Sequence, residues 1–83
     1  MRIRVFTADP AGQYTHNLTT FLSAGLQDPV GDVLEQAEEL VEEGDIVYLN
    51  DWYLLRQEGS WTSLSPMDER VQGLYPQAVR AES

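Results

Sequence analysis

The sequence predicts a small α+β domain. An antiparallel sheet is expected in the order β-β-α-β-β-β-α, with one amphipathic helix packed on it and a short C-terminal helix. Three observations carry this expectation. The runs "RIRVFT" (2–7) and "DIVYLNDWYLLRQEGSW" (45–61) are rich in β-branched and aromatic residues and are broken by turn residues. The segment "DVLEQAEELVEEGD" (32–45) places apolar residues at helical spacing instead. Finally, 83 residues without cysteine leave room for one thin-cored domain, which buries only about 60% of its unfolded surface. That domain is expected over residues 1–76, with 77–83 as a frayed tail.

In "RIRVFT", Ile3 and Val5 point one way and Arg2, Arg4 and Phe6 the other, as in a half-buried strand. Pro10 and Gly12 then mark a turn. "YTHNLTTFLS" reads two ways. At period two, Tyr14, His16, Leu18, Thr20 and Leu22 share a face; at helical spacing, Leu18, Phe21, Leu22 and Leu26 do. Thr15, Thr19 and Thr20 lose side-chain freedom in a helix, so a strand paired with the first is favoured.

Asp28 is placed to cap the main helix and Pro29 suits its first position. Val30, Val33, Leu34, Ala37, Leu40 and Val41 form its apolar stripe, and Gly44 is the expected stop. Beyond it, Asn50-Asp51 and Glu58-Gly59 read as hairpin turns joining three strands. Two-residue turns fix the register. Leu49 faces Trp52, Val47 faces Leu54 and Arg56 faces Trp61 on one side; Ile46 with Leu55, and Tyr48 with Tyr53 and Leu64, occupy the other. Both sides are apolar, so one helix cannot cover both. One arrangement sets the acidic helix on the Ile46, Tyr48, Tyr53, Leu55, Leu64 side and the C-terminal segment (Met67, Val71, Leu74, Tyr75) on the other. Ser65 is the expected cap of that last helix, with Asp68 in the place of a capping-box acid.

Charge is the most unusual feature. Fourteen acids face five basic residues, all Arg, for a net −9. Such a surface repels nucleic acid and anionic membranes and favours a basic partner. No long apolar run suggests a membrane span, and the first residues lack the apolar core of a secretory signal, so a cytoplasmic protein is expected. Eight of the fourteen acids lie between Asp28 and Asp45. On a helix, Glu35–Glu39, Glu38–Glu42 and Glu39–Glu43 are like-charged i,i+4 pairs, each costing about 0.2–0.5 kcal/mol. Glu42, Glu43 and Asp45 add about 0.3–1 kcal/mol each at the negative end of the dipole. Three accounts of this charge stand side by side: a solvated face, adaptation to high salt, and a docking row for a basic groove.

Reactive chemistry is sparse. Without cysteine there is no thiolate site, and the glycines are scattered with no phosphate-cradling spacing. His16 stands alone among Thr and Asn with no nucleophile or orienting acid in sequence context, so a catalytic role is not expected. No metal or other cofactor is expected, since the acids do not follow the alternation of a calcium loop.

The expectation is therefore a non-enzymatic binding protein. Its candidate partner-binding residues are Asp32, Glu35, Glu38, Glu39, Glu42, Glu43 and Asp45 on the acidic helix. Trp52, Tyr53 and Trp61 of the hairpin are candidates for partner or homodimer contact. In profile alone (very small, cysteine-free, acidic, compact α+β) the chain resembles phage and mobile-element inhibitors, including DNA-mimic anti-restriction and anti-CRISPR proteins. That resemblance implies a partner with a basic nucleic-acid-binding surface in a host cytoplasm. The alternative is an interaction module, a homodimer or accessory subunit, that uses the aromatic hairpin.

Overall fold

The computed structural model describes residues 1–74. Tyr75 and the expected tail 77–83 lie outside the described residues. Five strands form one sheet: β1 (Arg2–Ala8), β2 (Tyr14–Phe21), β3 (Ile46–Leu49), β4 (Trp52–Gln57) and β5 (Ser60–Leu64). A helix, α1 (Pro29–Ala37), separates β2 from β3, and a second helical stretch, α2, spans 69–74. The strand order is β2-β1-β3-β4-β5 with every neighbouring pair antiparallel. The predicted α+β architecture and element order are those observed.

β1 is an interior strand, not a half-buried one. Ile3, Arg4, Val5 and Phe6 are all buried, because β2 and β3 flank the strand and both faces of the sheet are covered. Arg4 tolerates this position by laying its guanidinium 5.3 Å from the centre of the Tyr48 ring. β2 is a strand, as its threonines favour, but not one of strict alternation. The register shifts opposite Val5 and Phe6, which pair with Leu18 and His16 and leave Asn17 as the extra residue. The bulge sends Tyr14 to one core and Leu18 to the other, so the single shared face expected from period two is not formed.

The meander has the predicted register, with Leu49 opposite Trp52, Val47 opposite Leu54, Tyr53 opposite Leu64 and Arg56 opposite Trp61. Both turns are of the left-handed kind that matches strand twist: φ is +47° and +65° at Asn50 and Asp51, +53° and +73° at Glu58 and Gly59.

Each face of the sheet carries its own core, and the two helices are exchanged relative to expectation. Val33 and Ala37 of α1 pack with Ile3, Val5, Val47, Leu49 and Leu54. Val71 and Leu74 of α2 pack with Phe6, Ile46, Tyr53, Leu55 and Leu64. The reason is connectivity. β2 lies on the far side of β1 from β3, so the chain must cross one face of β1, and α1 lies where it crosses. Ile3 and Val5 already commit that face to the Val47 side of the meander. α2, which follows β5, closes the other.

Both helix starts are capped by Asp. The Asp28 carboxylate accepts the Gly31 N–H at 3.1 Å, and a Cβ on Gly31 would collide with it, so glycine permits the cap to close. In α2 the cap is Asp68, not Ser65. Asp68 Oδ1 accepts the Arg70 N–H at 2.9 Å, while Ser65 Oγ closes only the preceding turn through the Met67 N–H at 3.1 Å. The expected core residue Met67 is consequently exposed.

Candidate functional site

The acidic helix is shorter than its periodicity. α1 ends at Ala37, with Glu38 as C-cap, and not at Gly44. Beyond it the backbone tightens: Glu39 N–H bonds Gln36 C=O at 3.3 Å and Leu40 N–H bonds Ala37 C=O at 2.9 Å. Leu40 leaves the apolar stripe and is exposed, while Val41 still packs on the core. The physical reason lies in the acids. Continuing the helix would stack Glu35, Glu38, Glu39, Glu42 and Glu43 at i,i+4 beside a negative dipole end, with no basic residue in the last turn. Stopping at Ala37 removes those repulsions.

Of the predicted docking row, only Asp32 and Glu35 are on α1. Glu38 caps it, and Glu39, Glu42, Glu43 and Asp45 belong to the following loop. The continuous helical row of carboxylates, with phosphate-like spacing, is not built.

The loop is instead tied to β2, β4 and the β4–β5 turn. Asp45 is buried at 5% exposure, and its Oδ2 accepts the Glu42 N–H at 3.0 Å; the Asp45 N–H returns a bond to the Glu42 carbonyl, also at 3.0 Å. This closed turn makes Asp45 a structural anchor and removes it from the surface row. Gly44 sits at φ +92°, which a side chain rarely adopts. Its N–H bonds the Arg56 carbonyl at 2.7 Å, and its carbonyl accepts the Tyr14 hydroxyl at 2.7 Å. Burial pushes the Tyr14 phenol up from its ordinary value, against the pull of Arg70. The Glu43 carboxylate accepts the Glu58 N–H at the β4–β5 turn.

Glu38 reaches across to Arg56, Oε1 to Nη1 at 3.3 Å, and the Arg56 guanidinium lies 5.1 Å from the centre of the Trp61 ring. The cap of α1 is thus joined to β4 and β5 through one cation. Asp32 is half-buried with its carboxylate against Gly25, where no Cβ would fit. Folding therefore employs Asp32, Glu38, Glu43 and Asp45. Glu35, Glu39 and Glu42 remain as exposed carboxylates with no ion-pair partner among the described residues.

The hairpin aromatics divide in the same way. Trp52 is 56% exposed at the start of β4. Tyr53 is buried, its ring centre 4.8 Å from that of Tyr48, and cannot serve as a surface anchor. Trp61 is half-buried under Arg56, and its indole N–H is buried without an acceptor among the described residues. Tyr53 thus belongs to the core under α2, and Trp61 packs against the core under α1.

His16 Nε2 lies 2.7 Å from Thr19 Oγ1, and its ring stands edge-on to Phe6. This accounts for it within the β2 bulge. An open groove of about 430 Å³ between the β1–β2 turn and α2 is lined by Tyr14, Glu69 and Arg70. Its cation is already bound through two nitrogens by Asp68, at 3.0 and 2.9 Å. Among the described residues no three metal-ligating side chains converge, and no helix is long and apolar enough to cross a membrane.

No family model, curated protein or solved structure matches the chain.

Proposed function

We propose that this is a non-enzymatic binding protein whose acidic surface occupies a basic, nucleic-acid-binding surface on another protein, in the manner of an anti-CRISPR or DNA-mimic inhibitor. One observation carries the reading. The carboxylates of Glu35, Glu39 and Glu42 stand exposed, serve no cap or bridge, and have no ion-pair partner among the described residues. Charge that folding does not employ gains value against an opposite charge on a partner. The docking surface is a patch at the end of α1, made of Glu35, Glu39 and Glu42 with the tethered Glu38 and Glu43 around them. It is not a helical row.

The test is affinity capture from lysate of the cell of origin, repeated with a Glu35→Gln/Glu39→Gln/Glu42→Gln variant. The expected partner binds DNA or RNA, loses that binding in competition with the wild-type protein, and is not retained by the variant. A partner retained equally by both proteins would refute the reading.

A second reading, self-association through the hairpin, keeps one residue of its original three. Trp52 alone offers a large exposed ring there, so the interface would centre on it. Sedimentation of wild type and Trp52→Ala distinguishes this reading: a dimer lost in the variant supports it.

A further inference from the structure

We propose that the outer edge of β5 receives an extended, Lys- or Arg-bearing segment of the basic partner as an added strand. This rests on the binding-protein reading and specifies where the partner's chain lies.

Among the described residues β5 has a neighbour on one side only, β4. Hairpin geometry decides which of its backbone groups are free. The turn at Glu58-Gly59 is closed by Gln57 opposite Ser60, a hydrogen-bonded pair. Alternation then makes Leu55–Thr62 and Tyr53–Leu64 hydrogen-bonded pairs as well. Trp61 and Ser63 are left with N–H and C=O directed away from β4. Two residues at this spacing present the donors and acceptors that a further strand would need.

Proteins blunt such edges with charge, proline or a bulge. "SWTSL" has neither charge nor proline, and its register with β4 is unbroken. The opposite edge of the same sheet is protected: β2 is bulged at Asn17. The sheet therefore has one irregular edge and one regular, uncharged edge.

Charge selects the occupant. At the β5 end of the hairpin, the Glu43 carboxylate is held on the Glu58 N–H, so two acids meet at the tip. Arg56, the cation of that end, is already engaged by Glu38. Glu58, two residues before Ser60 in that turn, is the acid that borders β5, and a strand running past Ser60 meets it on a chain of net −9, where Lys or Arg is favoured. A second copy would bring another net −9 to the same edge.

The experiment titrates the isotope-labelled full chain with a short synthetic peptide of alternating Lys and Val, and with its Glu and Val counterpart, up to millimolar concentration. The Lys peptide should slow hydrogen exchange at the Trp61 and Ser63 amides, whereas the Glu peptide should not. Ser63→Pro removes an outward donor without removing a bond to β4, and should weaken Lys-peptide binding at least about tenfold. Glu58→Gln, which leaves the edge intact, should weaken it and flatten its salt dependence. The proposal is overturned if the Lys peptide does not bind, if it protects other amides, or if Ser63→Pro binds it equally well. It is also overturned if Trp61 and Ser63 are protected without peptide and lose that protection on dilution, since the occupant is then a second copy. The Glu35/Glu39/Glu42 variant is independent of this edge, so a failed titration beside a failed capture by that variant removes the edge and leaves the acidic patch.

Discussion

Glu38 and Arg56 meet at 3.3 Å across the gap between the end of α1 and the fourth strand, and the same guanidinium covers the Trp61 ring. The two residues are unequal. The Glu38 side chain is 44% exposed and that of Arg56 16%. Replacing Glu38 with Gln removes a solvent-screened attraction and should cost under about 1 kcal/mol. Replacing Arg56 with Ala also uncovers the indole, and should cost about 1 kcal/mol more. Urea unfolding of the two variants checks the order; equal costs would mean that the ring contact contributes nothing.

The acids of the 38–45 loop should behave as two populations. Asp45→Ala strips the acceptor from the Glu42 N–H in a buried turn and should cost about 1–3 kcal/mol. Glu39→Gln, at an exposed position with no partner, should fall within about 0.5 kcal/mol of wild type or stabilise slightly. Thermal unfolding of both proteins decides it.

Leu74 tests the packing of α2. It is fully buried with Phe6 and Leu64, so Leu74→Ala should cost about 2–5 kcal/mol. Met67→Ala, at an exposed position four residues before Val71, should cost little. Comparable costs would return Met67 to the stripe that the sequence predicted.

Acid should release the start of α2 late. The Arg70 side chain and its backbone N–H both bond the Asp68 carboxylate and hold it down to about 2. The folded value thus lies below the ordinary 3.8, so the stabilisation is present above pH 3.8 and is lost as pH falls toward 2. Side-chain NMR titration of Asp68 reads this directly, and an ordinary carboxylate titration would contradict it.

Much of the fold was legible in short-range pattern. Turn residues at Asn50-Asp51 and Glu58-Gly59 fixed the meander register, and Asp28-Pro29 marked where α1 begins. What failed was long-range. Which side of the sheet each helix covers depends on β1 lying between β2 and β3, a pairing no local window contains. The Asn17 bulge likewise depends on β1, and it undid a face assignment made by strict alternation. The end of α1 was a different failure. The signal was present in the like-charged pairs from Glu35 to Glu43 and the absence of any basic residue in the last turn. Apolar spacing at Leu40 and Val41 outweighed it, although repulsion and the dipole both argued for an earlier stop. The candidate site shifted accordingly. Acidity that the sequence left unexplained by folding divides into anchors (Asp32, Glu38, Glu43 and Asp45) and an exposed set of Glu35, Glu39 and Glu42.

That division makes the binding claim directly measurable. The affinity of the captured partner for wild type and for the Glu35→Gln/Glu39→Gln/Glu42→Gln variant should be compared across a salt series, with thermal unfolding of both proteins alongside. Binding should weaken at least about tenfold and its salt dependence should flatten, while the variant stays as stable as wild type or becomes more so. Equal affinity with an equal salt slope would contradict the account and leave the exposed carboxylates as a solvated surface.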